Sequence, residues 1–201
     1  MTFKLTSAAF QPGEKIPRKF TAEGAEISPG LRWSGAPDTA REYALLCEDP
    51  DAPLPESFLH WMIYGISANI SEIPEGLPTE GELYYPLRAL QGLNSKLKFG
   101  FTGPLPPFFH GPHRYFFRLF ALNAPVNLSA GASRAEFVAE LAGKVIAEAQ
   151  LVGKYARSPA GRAKVVLKIA SAVAGIAGVG YYLNRKWRAG SRAQEASHHP
   201  R

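Results

Sequence analysis

The sequence has one cysteine, Cys47. A single thiol excludes an internal disulfide framework and any zinc site built from several cysteines. Its place in the apolar run Tyr43–Glu48 (YALLCE) makes it a small buried residue of a strand. No HExxH, GxSxG or P-loop string occurs, so the chain carries no template for a metalloprotease, an α/β-hydrolase or a P-loop NTPase. Near the N-terminus the short apolar stretch Leu5–Phe10 is interrupted by Thr6 and Ser7 and stops at Gln11-Pro12-Gly13-Glu14. An export signal needs an apolar core of roughly 7–15 residues, so the expectation is a cytoplasmic body. Acidic residues are almost missing from one end. Residues 151–201 hold ten Lys+Arg and one acid, net +9, whereas residues 1–150 hold 13 Lys+Arg and 16 Asp+Glu, net −3. The overall charge of +6 therefore belongs to the tail. The body offers no electrostatic case for nucleic acid. The basic tail points to an anionic surface, most simply a membrane.

Apolar residues make up 46% of the chain and charged residues 20%, enough for a packed core. With 19 glycines and 17 prolines, many turns are expected rather than long helices. Short strand-like runs recur between those turns. Phe3–Phe10 alternates loosely. Tyr43–Glu48 suits a strand buried on both faces. His60–Ile66 (HWMIYGI) is a third run. In Arg114–Leu122 (RYFFRLFAL), Tyr115, Phe117, Leu119 and Ala121 point one way and Phe116, Arg118, Phe120 and Leu122 the other; both faces are mostly apolar, which predicts a central strand. Strands linked by Pro/Gly-rich loops argue for a mainly β protein, a β-sandwich or a similar all-β core. One helix is expected over residues 134–151. Ser133 and Glu136 form a capping box, Phe137, Leu141 and Val145 recur at i, i+4, i+8 with Val138 and Ile146 beside them, and Gly153 reads as the stop.

Composition shifts again at Ser158-Pro159-Ala160-Gly161, dividing a domain of residues 1–155 from a tail of residues 156–201. Within the tail, Val165–Leu183 is a run of 19 residues with one charge, Lys168. A bilayer span needs roughly 20 apolar residues. Tyr181, Tyr182 and Trp187 would lie at an interface, and Arg185, Lys186 and Arg188 among headgroups. Residues 165–183 are thus a candidate membrane-associated helix, either spanning or lying on the surface; an Ala/Gly-rich helix in water is the alternative.

Two polar clusters sit at strand ends among prolines. The first is Glu48-Asp49-Pro50-Asp51-Ala52-Pro53, followed by His60-Trp61. The second is Gly103-Pro104-Leu105-Pro106-Pro107, followed by His110-Gly111-Pro112-His113-Arg114-Tyr115. Flanking prolines fix the direction of such loops. The loops can hold carboxylates, imidazoles and a phenol in one rigid mouth, offering acceptors, switchable donors and one neutral donor.

Here the chain resembles the phosphatidylethanolamine-binding protein (Raf kinase inhibitor protein-like) family, its short bacterial-type members in particular. Asp49–Pro53 (DPDAP) looks like that family's first signature and Gly111–Tyr115 (GPHRY) like its second. Ser28–Ala36 (SPGLRWSGA) and Gly103–Pro107 (GPLPP) are similar to the short members as well. The resemblance covers about residues 3–155 and does not extend to the tail. It implies an antiparallel β-sandwich with a few peripheral helices and a small pocket for phosphate-like groups, including the head of phosphatidylethanolamine. Carried over residue by residue, it makes Asp49 and Asp51 the pocket carboxylates, His60 the histidine of a neighbouring strand, and His113 and Tyr115 the contribution of the second signature. Pro53 and Pro107 would be walls. Phe58 stands where many members have a tryptophan, which alters the expected rim.

Carboxylates repel a phosphate unless protonated or bridged by a donor. The expected donors are a protonated His60 or His113, the Tyr115 hydroxyl and loop N–H groups, with binding weakening as pH rises through the histidine range. Arg114 is expected to pair with Asp49 or Asp51, and His110 to be exposed. The leading expectation is a non-catalytic binding protein for a small phosphate-bearing ligand, able to regulate a kinase or other protein partner, with no cofactor and no resident metal. Two alternatives differ in class. One is a metal-dependent hydrolase using Asp49, Asp51, His60 and His113 around zinc or manganese. The other is a membrane-tethered scaffold.

Overall fold

The computed structural model describes residues 2–108 and 110–157. Among the described residues, nine strands and one α-helix follow in order: β1 (Lys4–Thr6), β2 (Leu31–Ser34), β3 (Glu42–Asp49), β4 (Phe58–Ser67), β5 (Glu72–Ile73), β6 (Glu82–Leu83), β7 (Ala89–Gln91), β8 (His113–Leu122), α1 (Arg134–Leu141) and β9 (Val145–Tyr155). A 3-10 turn covers Arg18–Phe20. The strands form a three-stranded sheet, β1-β2-β5, and a six-stranded sheet, β6-β7-β4-β3-β8-β9. Every pairing between strands is antiparallel. The expected β-sandwich is the observed fold.

Side-chain alternation explains the layers. Leu5, Leu31, Trp33 and Ile73 of the small sheet share one core with Tyr43, Leu45, Trp61, Ile63, Phe117 and Leu119 of the large one. The opposite face of the large sheet sends Ala44, Leu46, Met62, Tyr64, Phe120 and Leu122 against Phe137 and Leu141 of α1. Strands β3 and β8 thus bury both faces, as their continuous apolar runs dictate. Helix α1 has the expected capping box, the Ser133 hydroxyl accepting from the Glu136 N–H at 3.3 Å and the Glu136 carboxylate from the Ser133 N–H at 2.7 Å. The helix is further tied down by Arg134, whose Nε donates to Glu48 on β3 at 2.7 Å.

The expected helix over residues 134–151 is a correction. Helix α1 ends at Leu141, and Gly143, at φ +76°, turns the chain into β9. The coincidence of Leu141 and Val145 four residues apart suggested one longer helix, yet Val145 and Ile146 are exposed. From Ala149 the burial alternates, with Leu151, Gly153 and Tyr155 also facing inward, which is the period of a strand. Gly153 is not a helix stop. It pairs with Tyr115 inside the sheet, and a Cβ there would lie 2.5 Å from Ile16 and 2.8 Å from Phe10. The tail and the candidate membrane helix 165–183 lie outside the described residues. Among the described residues, no helix is long and apolar enough to cross a membrane.

Candidate functional site

At one end of the large sheet, strands β3, β4 and β8 bring their polar residues together. Asp49 closes β3, His113 opens β8, and His60 sits near the start of β4. A β-bulge places His60. Cys47 pairs with Trp61 and Glu48 with Leu59, so His60 is the extra residue between two pairs. Leu59 and Trp61 consequently face opposite sides of the sheet, each in a different core. A bulge of this kind re-aims one side chain without ending the strand.

The three side chains are buried, with His113 at 2%, Asp49 at 4% and His60 at 4% exposure. Nδ1–H of His113 donates to Asp49 Oδ2 at 2.7 Å. The other oxygen of Asp49 accepts the Asp51 N–H at 2.9 Å, which folds the first loop over its own carboxylate. Nδ1–H of His60 donates to the Thr102 carbonyl at 2.6 Å, and the Thr102 N–H donates back to the His60 carbonyl at 2.9 Å. This two-way lock holds the second proline loop against β4. Glu26, at φ +56°, supports the same loop by accepting from Thr102 Oγ1 at 3.0 Å and from the Gly103 N–H at 3.1 Å.

Together these loops enclose a cavity of about 290 Å³. Asp49, His60 and His113 line it, Pro53 and Pro107 are walls, and Phe58 lies at its edge with its ring 4.7 Å from that of His60. Leu54 and Leu105, both half exposed, flank the opening. The rest of the lining is largely apolar, as is usual for a small-molecule site oriented by a few polar groups. Larger grooves exist elsewhere. One of about 670 Å³ runs past Lys19, Arg32, Glu72 and Glu75, but its charges are already paired, Lys19 with Glu75 and Arg32 with Glu72 at 2.8 Å.

Two polar atoms of the site are buried without a hydrogen-bond partner among the described residues, Nε2 of His113 and the hydroxyl of Tyr115. Most buried polar groups are satisfied, so such orphans mark a place for a ligand or a bound ion. Tyr115 is not part of the cavity lining. It stands edge-on to His60 with ring centres 5.1 Å apart. Burial, with the Asp49 carboxylate adding to it, raises its pKa far above the ordinary tyrosine range and keeps it a donor. Asp51 does not line the cavity either. Arg114 grips it through Nε at 2.9 Å and Nη2 at 2.7 Å, with the Arg114 N–H as a third donor at 2.9 Å. That grip pulls the Asp51 carboxyl down to about 2. Arg114 is thus the ion-pair partner that its sequence position suggests, and of the two aspartates it chooses Asp51. His110 is exposed, its ring 5.7 Å from His113.

The expectation of a protonated His60 needs correction. Desolvation by burial pushes its pKa down to about 4, outweighing the Thr102 hydrogen bond and the Asp49 charge. At neutral pH this ring is uncharged. The cation at the cavity is instead Lys96, which sequence reading missed. Its turn is fastened to β4 by the Leu59 N–H donating to the Ser95 hydroxyl at 2.8 Å and the Ser95 N–H donating to the Leu59 carbonyl at 2.9 Å. Nothing in the local string Asn94-Ser95-Lys96 signals that proximity, because it arises from pairing 36 residues apart. Among the described residues, no three of His, Cys, Asp and Glu are grouped to hold a metal ion.

The family model described as phosphatidylethanolamine-binding protein matches residues 6–156. The chain belongs to the phosphatidylethanolamine-binding protein family. A UPF0098 protein of Pyrococcus horikoshii is 41% identical over 157 residues, covering 78% of each chain. A UPF0098 protein of Methanothermobacter thermautotrophicus is 40% identical over 153 residues, covering 76% of this chain and 98% of the relative. Among solved structures, YbcL of Escherichia coli, itself described as a member of the mammalian family, superposes with a TM-score of 0.73 at 29% identity, covering 79% of this chain and all of YbcL. A phosphatidylethanolamine-binding protein homologue from Chlamydia trachomatis gives 0.71 at 33% identity, over 78% of this chain and 99% of the homologue. The match ends at residue 156, so the basic tail has no counterpart in the family model.

Proposed function

We propose that this family member is a non-catalytic binding protein whose cavity holds a small phosphate-bearing anion, the chemistry of a phospholipid headgroup. The observation that carries the reading is the unpartnered Nε2 of His113, on a ring fixed by Asp49 at the wall of a cavity that also meets Lys96. A fixed ring with one free nitrogen is a prepared hydrogen-bonding group, and a lysine at the opening supplies the charge. A binder is favoured over the metal-dependent hydrolase because Asp51, one of the four residues such a site needs, is held by Arg114 and is not among the residues that line the cavity. In this reading the protein works on the cytoplasmic side. Its basic tail, through residues 165–183, meets a membrane surface or bilayer, and occupancy of the cavity tunes a protein partner.

Calorimetry with inorganic phosphate and phosphoethanolamine tests the cavity. Affinities in the micromolar-to-millimolar range are expected for a few polar contacts in a partly open site. Lys96→Met, at the exposed rim, should weaken binding about tenfold, as loss of a charge-assisted contact implies. His113→Asn should weaken it further while thermal unfolding confirms that the domain is intact. Unchanged affinity in both variants places the ligand elsewhere.

A further inference from the structure

Lys96 stands on the divide between two depressions. It lines the cavity, where it is the one lysine or arginine among the described residues, and it also lines a neighbouring groove of about 520 Å³. Glu26 lines the groove but not the cavity. Lys96 Nζ lies 3.6 Å from Glu26 Oε1, close enough for an ion pair and too long for a firm hydrogen bond.

The two partners are held very differently. The Glu26 carboxylate is anchored. Its Oε1 accepts from Thr102 Oγ1 at 3.0 Å and from the Gly103 N–H at 3.1 Å, and Gly103 is itself part of the cavity wall. The Glu26 backbone, at φ +56°, is in a region that a residue other than glycine occupies only where its surroundings hold it there. Lys96 is anchored only at its root. The buried Asn94 side chain accepts from the Lys96 N–H at 2.9 Å and the Lys98 N–H at 3.3 Å, and donates to the Gly100 carbonyl at 3.0 Å. The stem beyond that root is flexible and the side chain is 43% exposed, so the ammonium can swing while the carboxylate stays.

We propose that Glu26 is an internal counter-ion of the cavity: its fixed carboxylate draws the Lys96 head toward the groove, and an anion entering the cavity binds by taking that head over. This rests on the reading of the cavity as a phosphate site and names the residue that restrains it. Binding then exchanges one ion pair for another instead of adding one. Affinity is therefore lower than an unpaired lysine would give. It also depends less on ionic strength, since salt screens the pair that is lost as well as the pair that is gained.

Calorimetry with inorganic phosphate on the full chain tests this through Glu26→Gln, which keeps an oxygen for Thr102 and Gly103 but removes the charge. The variant should melt within a few degrees of wild type and bind phosphate about three- to fivefold more tightly, the range for a partly exposed ion pair. Raising the ionic strength from about 0.01 M to about 0.15 M should weaken the variant more than wild type. Added to Lys96→Met, the same change should alter affinity by less than about twofold, since no ammonium is left to release. A gain of equal size on Lys96→Met means that Glu26 repels the anion directly and overturns the proposal. Unchanged or weaker binding in Glu26→Gln overturns it too, the weaker case making Glu26 a loop support only. So does a salt dependence no steeper than that of wild type, or Lys96→Met binding as well as wild type. In each of these cases the phosphate site still stands. If wild-type protein binds no phosphate, that reading itself fails and the proposal falls with it.

Discussion

At the scale of single residues, the buried His60 ring makes stability depend on pH. Its folded pKa, about 4, lies below the unfolded value near 6.5, so the unfolded chain binds the extra proton first. The stabilisation is complete above pH 6.5 and is lost as pH falls to about 4, a change on the order of 3 kcal/mol for a shift of this size. Urea unfolding between pH 7 and 4.5 should show this acid weakening, and His60→Gln should flatten the slope while lowering stability at pH 7. A wild-type slope no steeper than that of the variant would contradict it. Asp51 behaves differently. Its three bonds to Arg114 secure a loop at the surface, so Asp51→Asn should leave phosphate affinity within about threefold and cost about 1 kcal/mol of stability, the usual size for partly exposed contacts. Equilibrium unfolding and calorimetry on the same variant separate the two effects.

At the scale of elements, sequence patterns were most readable where both faces of a strand are apolar. Strands β3 and β8 declared themselves through YALLCE and RYFFRLFAL, and the capping box announced α1. Strand β9 did not, because its outer positions Val145 and Ile146 are apolar yet exposed, and with Leu141 they mimic a helical stripe. Very short strands such as β5 and β6, two residues each, exist only through their partners and leave no periodic signal. Gly153 carries the sharpest test of the revised boundary. In β9 its missing side chain admits Ile16 and Phe10, so Gly153→Ala should cost about 1–3 kcal/mol by overpacking. The same change in a helix C-terminal stop facing solvent would cost less. Ser133→Ala, removing the cap of an eight-residue helix, should cost about 1 kcal/mol with the cavity unaffected. Both costs are read from the midpoint of chemical unfolding.

For the molecule as a whole, the fold and the family were legible because four ordered motifs fall at or beside strand ends, where proline fixes the direction of the adjoining loop. The convergence of Asp49, His60 and His113 followed from those motifs. The roles of Asp51, Tyr115 and Lys96 did not, since they depend on which neighbour each side chain meets across the sheet. The described residues hold nine strands, a capped helix and the cavity in one domain, so a fragment of residues 1–157 should fold alone and melt within a few degrees of the full chain. The full chain, unlike the fragment, should partition with membranes through the nearly uncharged run Val165–Leu183. Cell fractionation checks this: release by high salt means a surface-bound tail, release only by detergent an inserted one. A full chain found in the soluble fraction at low salt would sink the membrane reading.

The reciprocal bonds between His60 and Thr102 also give the protein its own spectroscopic probe. An imidazole N–H held 2.6 Å from a carbonyl and shielded from water exchanges slowly, and its proton resonance lies far downfield of the amides, in a nearly empty part of the spectrum. The Thr102 amide on the other half of the lock should be equally slow to exchange. His60 lines the cavity, so both signals should shift when an occupant is titrated in, reporting binding without a label.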